Sequence, residues 1–342
     1  MSDTDSGTRN EDGDADRLTQ EDVERVLDYL LSHKMAFAQE FLRARGLPFS
    51  GSKARLRQRL QGYLDQGDVQ TTDLVQLLNQ IEGWGNQHIY LYKGPDPQIR
   101  GWLDEDVVKA QLVALGLDDL LNRQRPLVLP EEPTLSSIEW TPECVRFVWI
   151  EKRAWEERIP DEDIVEDDKV WRAYRINVAR GLVAFDWDLV SGYAMLMIQR
   201  LPRGTRYHQI RDRFEDAIQP IVGLRQFERV RISGAIQRIE MSDEVRRRQL
   251  AYRASRGGKV AFTSASSSRD TFADPDLERA GQIFRGTAAG VLGNFYWLPV
   301  KDRLRGELHA KLYARDHRVG IFGEHEESGV RYVLSRIRHY CV

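Results

Sequence analysis

The stretch Val145-Arg146-Phe147-Val148-Trp149-Ile150 decides the fold class of the larger part of this chain. Five of its six residues are β-branched or aromatic, the types that pack well on a pleated surface, and it reads as a strand. The same signature returns downstream in Trp171–Val178, Leu182–Trp187 and Ala194–Gln199, with Gly181 and Gly192 as punctuation. Connections this short join antiparallel neighbours, because a parallel crossover needs a dozen or more residues. Helices are expected over Tyr207–Ile221 and Leu277–Ala289, and strands over Val230–Ile236, Asn294–Val300, Glu307–Ala314 and Val319–Phe322. Val330–Ile337 fits either a strand or a helix. A weaker β-α-β pattern runs through Val260–Ser264, Leu277–Ala289 and Phe295–Val300. Trp140, Phe147, Trp149, Trp171, Phe185 and Trp187 are the expected sheet core.

Upstream of this stretch the period changes to that of a helix. Val23, Val26, Leu27, Leu30 and Leu31 follow a cap at Thr19, and Leu74, Leu77, Leu78 and Ile81 follow Thr71 or Thr72. Leu103–Leu121 also reads helical, and only Ile89–Tyr92, stopped by Gly94-Pro95, reads as a strand. The expected architecture is an all-α N-terminal part followed by an α+β domain with a mainly antiparallel sheet. Its divisions are an acidic disordered arm over 1–17, a helical domain over 18–125, a linker over 126–138 and an α+β domain over 139–342.

Composition narrows the function. The 342 residues carry a net charge of −3, so any nucleic-acid surface must be local. Residues 1–28 hold ten acids against three arginines, whereas residues 34–64 hold seven Lys/Arg against Glu40 alone. Two isolated cysteines, Cys144 and Cys341, predict a reducing compartment and no metal spacing. The acidic N-terminus without an apolar core segment predicts no signal peptide, and no run is long enough to predict a membrane span. A cytoplasmic, nucleoid-associated or nuclear location follows, with no cofactor.

The basic segment reads Phe37-Ala38-Gln39-Glu40-Phe41-Leu42-Arg43-Ala44-Arg45-Gly46-Leu47-Pro48-Phe49-Ser50-Gly51-Ser52-Lys53-Ala54-Arg55-Leu56-Arg57-Gln58-Arg59-Leu60. Leu56, Leu60 and Leu64 share one helix face, flanked by Lys53 with Arg57 and by Arg55 with Arg59. Ser50-Gly51-Ser52 are small residues at a helix start, where phosphate oxygens approach backbone N–H groups at the positive end of the dipole. On Phe41, Gly46-Leu47-Pro48, Ser50-Gly51, Lys53, Leu56 and Arg59-Leu60, residues 34–65 resemble the SAP family of helix–loop–helix DNA-binding modules. The resemblance implies non-sequence-specific duplex binding through phosphates, with Lys34, Arg43, Arg45, Ser50, Gly51, Ser52, Lys53, Arg55, Arg57 and Arg59 as the contacts. A single module of this size binds weakly, so a second contact or a partner is expected. The acidic residues 3–16 are expected to compete with DNA for the patch.

A broader likeness joins this segment to Trp84–Pro95, Trp140–Ile150 and the hairpin Tyr174–Trp187. In that order the chain is similar to the centromere protein N family. The likeness implies a non-enzymatic DNA-binding adaptor whose α+β part assembles with itself or with a partner protein.

One constellation points to chemistry instead. His309-Ala310-Lys311, Asp316 and Gly323 reproduce the HxKx4Dx6G spacing and so resemble phospholipase D-type phosphodiesterases. In that family the His attacks phosphorus and the Lys steadies its oxygens. Gly323-Glu324-His325-Glu326 departs from the family pattern by placing carboxylates where phosphate should be welcomed. The single copy would also need a homodimer. The competing reading is a β-hairpin turning at Asp316-His317. Glu324 to Glu327 is a weak candidate metal cluster, and Arg256-Gly257-Gly258-Lys259, with the serines up to Arg269, a weak phosphate loop. The acidic run Glu162 to Asp168 reads as an exposed hairpin tip. The preferred reading is a non-enzymatic duplex-DNA adaptor. A phosphodiesterase using His309, Lys311 and Asp316 and an interaction subunit without nucleic acid are the alternatives.

Overall fold

The computed structural model describes residues 20–123, 130–167, 169–200 and 206–341. The expected acidic arm, the Thr19 cap, residues 126–129 of the linker and Asp168 lie outside them. The chain divides after Gln80 into two compact units.

The first unit is helical: α1 (Gln20–Ser32), α2 (Met35–Ala44), α3 (Lys53–Gln66) and α4 (Thr71–Glu82), whose last turn runs past the division. Val26, Leu27, Leu30 and Leu31 of α1 are buried with Ala38 and Leu42 of α2 and Leu56 and Leu60 of α3. Each such leucine contributes about 1.5–3 kcal/mol of burial. The α2 end is a two-bond reversal. Leu47 N–H donates to the Leu42 carbonyl and Gly46 N–H to that of Arg43, both at 3.0 Å. It requires the left-handed φ of +70° at Gly46.

The second unit opens with β1 (Gly85–Lys93), α5 (Asp96–Gly101), α6 (Glu105–Leu115), β2 (Thr134–Thr141) and β3 (Cys144–Arg158). It continues with β4 (Ile164–Glu166), β5 (Lys169–Trp171), β6 (Tyr174–Asp188), β7 (Tyr193–Gln199), α7 (Tyr207–Val222), β8 (Glu228–Arg229) and α8 (Ser233–Glu240). Last come β9 (Val245–Ala254), β10 (Lys259–Thr263), α9 (Pro275–Arg285), β11 (Ala288–Trp297), β12 (Leu308–Tyr313), β13 (Arg318–Glu324) and α10 (Glu327–His339). Ten strands join in the order β10-β9-β11-β12-β13-β1-β7-β6-β3-β2, with β8 beside β1. Every strand pair is antiparallel.

Alternation along β1 shows the two faces. Ile89 and Leu91 join the apolar layer that contains Ile236 of α8 and Val333 of α10. Tyr90 and Tyr92 join the layer that contains Leu112 of α6 and Phe214 of α7. The unit is therefore α+β, as expected.

Several details differ from the sequence expectation. The division does not fall in the 126–138 stretch, because Gly85–Lys93 is a central strand of the sheet and Thr134–Thr141 pairs with β3. Val230–Ile236 is not a strand. Ile232, Ala235, Ile236 and Ile239 are buried at helical spacing, and α8 forms around them. Val330–Ile337 lies within α10, and β10, α9 and β11 belong to no parallel unit. Gly181 does not end a strand: β6 runs straight through it, with the Arg153 side chain lying where a Cβ would project. Trp171 is 59% exposed rather than core.

Candidate nucleic-acid interface

The loop between α2 and α3 is pinned by α3 itself. Tyr63 Oη donates to the Pro48 carbonyl at 3.1 Å, and Arg59 Nη1 to the Ser50 carbonyl at 2.5 Å. Ser52 caps α3 by accepting from Arg55 N–H at 3.4 Å. Gly51 sits at φ +135°, where a Cβ would come within 2.9 Å of Arg55 Cδ. The N–H groups of the first α3 turn have no partner inside the helix, and the dipole adds partial positive charge there.

The expected phosphate contacts sort into different situations. Lys53 and Arg55 stand exposed on the first turn of α3 and have no ion-pair partner among the described residues. Lys34 is exposed at the start of α2. Arg43 lies 4.5 Å above the Phe49 ring. Arg45 lies 3.8 Å above Phe41 and pairs with Asp73 at 3.2 Å. Arg57 pairs with Asp28 of α1, and Arg59 braces the loop. The carboxylates Asp28 and Asp73 escaped sequence reading because tertiary packing alone brings them here. Both pairs are solvent-exposed and worth about 0–1 kcal/mol, so a phosphate can replace the carboxylate at small cost.

The sheet holds the other candidate. His309 and Lys311 project from the same face of β12, as the alternation predicts. The His309 ring lies between Tyr296, at 4.5 Å and 15°, and Phe322, at 4.7 Å and 28°. Its Nε2 meets Asn294 Oδ1 at 2.5 Å. Burial, with help from Lys311, His325 and Arg248, pushes its pKa down to about 4. Burial also lowers Lys311, with Arg318 and Lys259 adding to the effect. Asp316 sits in the β12–β13 turn beside Arg318, roughly 16 Å along the strand from His309 at about 3.3 Å per residue. The fold thus brings His309 and Lys311 together without Asp316.

Around them is a cationic, aromatic surface that the sequence did not announce. Arg246 lies 4.4 Å from Tyr296, Arg200 5.4 Å from Phe322 and Arg318 4.2 Å from Tyr313. Burial first, then Arg318 and Arg200, pushes His88 down to about 3.

The weaker candidates resolve into local structure. Arg256 to Lys259 form the β9–β10 turn, where Ala254 N–H donates to Gly258 O at 2.8 Å. Ser264, Ser266 and Ser268 hydrogen-bond among themselves. Among the described residues no group of His, Cys, Asp and Glu could hold a metal, and no helix is long and apolar enough to cross a membrane. The chain matches no protein-family model and no curated protein.

Proposed function

We propose that the protein is a DNA-binding adaptor: a SAP-like α2–α3 pair grips duplex DNA through its phosphates, and the α+β unit supports assembly. The observation that carries this reading is the start of α3. There Lys53 and Arg55 stand exposed without an ion-pair partner among the described residues, beside a serine-capped helix N-terminus and a glycine that leaves room for the Arg55 side chain. Cationic side chains beside the N–H groups of a first helical turn suit a phosphate oxygen, and contacts of that kind carry no sequence information. The centromere protein N likeness supports the same reading.

The test is duplex affinity across a salt series. Lys53→Glu/Arg55→Glu should lose at least tenfold in affinity at low salt. It should also flatten the slope of log K against log salt by about 2, near 0.9 per lost phosphate contact. Arg59 stays intact because it braces the loop. Equal binding by variant and parent removes the DNA-gripping role. The phosphodiesterase alternative rests on His309 and Lys311, whose ring and ammonium stack on aromatics. Phosphodiester hydrolysis that disappears in His309→Ala would establish it in place of the adaptor.

A further inference from the structure

Half of the exposed large apolar side chains of the second unit, among the described residues, lie on one projection. Of fifteen exposed large apolar side chains among the described residues, seven lie between Ile164 and Val178. They sit on the outer part of the β3–β6 ribbon. β2 accompanies β3 only as far as Ile150, and β7 meets β6 only from Val183 onward. Among the described residues, Arg153–Arg158 and Tyr174–Ala179 therefore have no strand partner but each other, Lys152 N–H donating to the Pro130 carbonyl, and β4 and β5 form the tip.

A two-stranded ribbon is marginally stable by itself in water, and an open apolar edge recruits another strand. The β6 edge has neither proline nor bulge to blunt it. Tyr174, Ile176 and Val178 alternate along it on one face, 49–70% exposed. At the tip Ile164 opposes Trp171 on one face and Val165 opposes Val170 on the other. Together the seven leave on the order of 700 Å² exposed, close to the roughly 800 Å² per partner of a standard interface.

We propose that this projection pairs with the same projection of a second copy, β6 against β6, antiparallel about Asn177. The proposal deepens the assembly half of the function above and rests on it. A twofold needs a self-complementary strand, and only an axis through a residue keeps the apolar row on one face. An axis at Arg175 sets that arginine against its own copy, and one at Ile176 sets Arg172 against Arg180. An axis at Val178 puts Ile176 opposite Arg180. The axis at Asn177 places Ile176 opposite Val178, Tyr174 opposite Arg180 and Arg175 opposite Ala179. Each tip then passes along the root of the other projection, and one of its two apolar pairs enters the same contact.

Two measurements on the full chain test this. In sedimentation velocity the parent should run as a dimer at micromolar concentration. Ile176→Asp, at a side chain 70% exposed and so without a folding role in the single copy, should raise the dissociation constant at least 100-fold. Under mild oxidation Asn177→Cys should form a covalent dimer. Facing Cα atoms in an antiparallel pair are about 4.5–5.5 Å apart, within disulfide reach. The parent, with only Cys144 and Cys341, and Ile283→Cys on α9 set the background for chance collision. A dimer that survives Ile176→Asp, or crosslinking no faster than Ile283→Cys, overturns the pairing and leaves assembly through another surface. A parent that stays monomeric at 100 μM overturns self-assembly altogether and hands the projection to a different protein, while the DNA test above is unaffected.

Discussion

Arg331 of α10 closes a two-pronged hydrogen bond on Asp186 of β6, Nη1 to Oδ1 at 3.1 Å and Nη2 to Oδ2 at 2.6 Å. The Asp186 side chain is 1% exposed, and the same guanidinium lies 4.9 Å from the Trp84 ring. One arginine thus ties the last helix to the middle of the sheet and neutralises a charge that water cannot reach. Removing it leaves a buried carboxylate with only the weak Cys144 thiol as a hydrogen-bond donor, a loss of about 3–5 kcal/mol. Arg331→Met should lower the melting temperature by roughly 10 °C at about 2–4 °C per kcal/mol. Glu327→Gln, which loses only an exposed bond to Arg331, should move it by 2 °C or less. Equal melting temperatures for the two variants would refute the assigned role.

Glu278 carries an acid-sensitive share of stability. Two hydrogen bonds from Arg285, each 2.7 Å, hold its pKa down to about 2 against an ordinary 4.5. The folded state therefore binds its proton later than the unfolded chain, and the contribution is present above pH 4.5 and lost as pH falls towards 2. Glu278→Gln should be less stable than the parent in urea at pH 6, and the gap should close near pH 2. A gap that is constant with pH contradicts this. The effect is modest, since the side chain is about a third exposed to screening solvent.

His88 and His309 act in a higher window. Their folded pKa values of about 3 and about 4 lie below 6.5, so the unfolded chain takes up protons first. Stability is complete above pH 6.5 and declines as pH falls through about 4. His309→Phe keeps a ring between Tyr296 and Phe322 but cannot be protonated. Its melting temperature should fall less than the parent's between pH 7 and 4. Parallel curves for the two proteins would show that His309 contributes nothing to the slope.

Asp28 tests the basic patch without weakening it. It engages Arg57 in the absence of DNA. Asp28→Asn frees that guanidinium and removes a charge that repels phosphate. Duplex affinity at low salt should rise about two- to fivefold, the range of an exposed pair worth under 1 kcal/mol. The gain should shrink at higher salt. A loss of affinity in fluorescence anisotropy would mean that the pair positions α3 rather than competing for it.

Local chemistry made some of this structure readable from the sequence. Gly46-Leu47-Pro48 and the spacing of Leu42, Leu56 and Leu60 encode the first unit's turn and packing within a few residues. The β-branched runs of β3, β6 and β7 announce their strands in the same way. β9 was hidden because Arg246, Arg247 and Arg248 look like a solvated segment. In the fold Arg247 pairs with Asp270 and Arg246 with Glu307, partners set by tertiary structure. α8 was misread because Val230 to Ile236 satisfies a period of two as well as one of 3.6. At the basic patch the cations were legible, but Asp28 is 29 residues from Arg57 in sequence. No local pattern reveals that the two meet.

The position of β1 has a consequence for how the chain comes to be made. It lies between β7 and β13, so the first strand of the sheet waits for nearly the last one synthesised. At roughly 5–20 residues per second the delay is on the order of ten seconds or more. Until then one edge of β1 stays unpaired. A product cut short before β13 would keep that side of β1 open, a bare edge that the folded unit does not present.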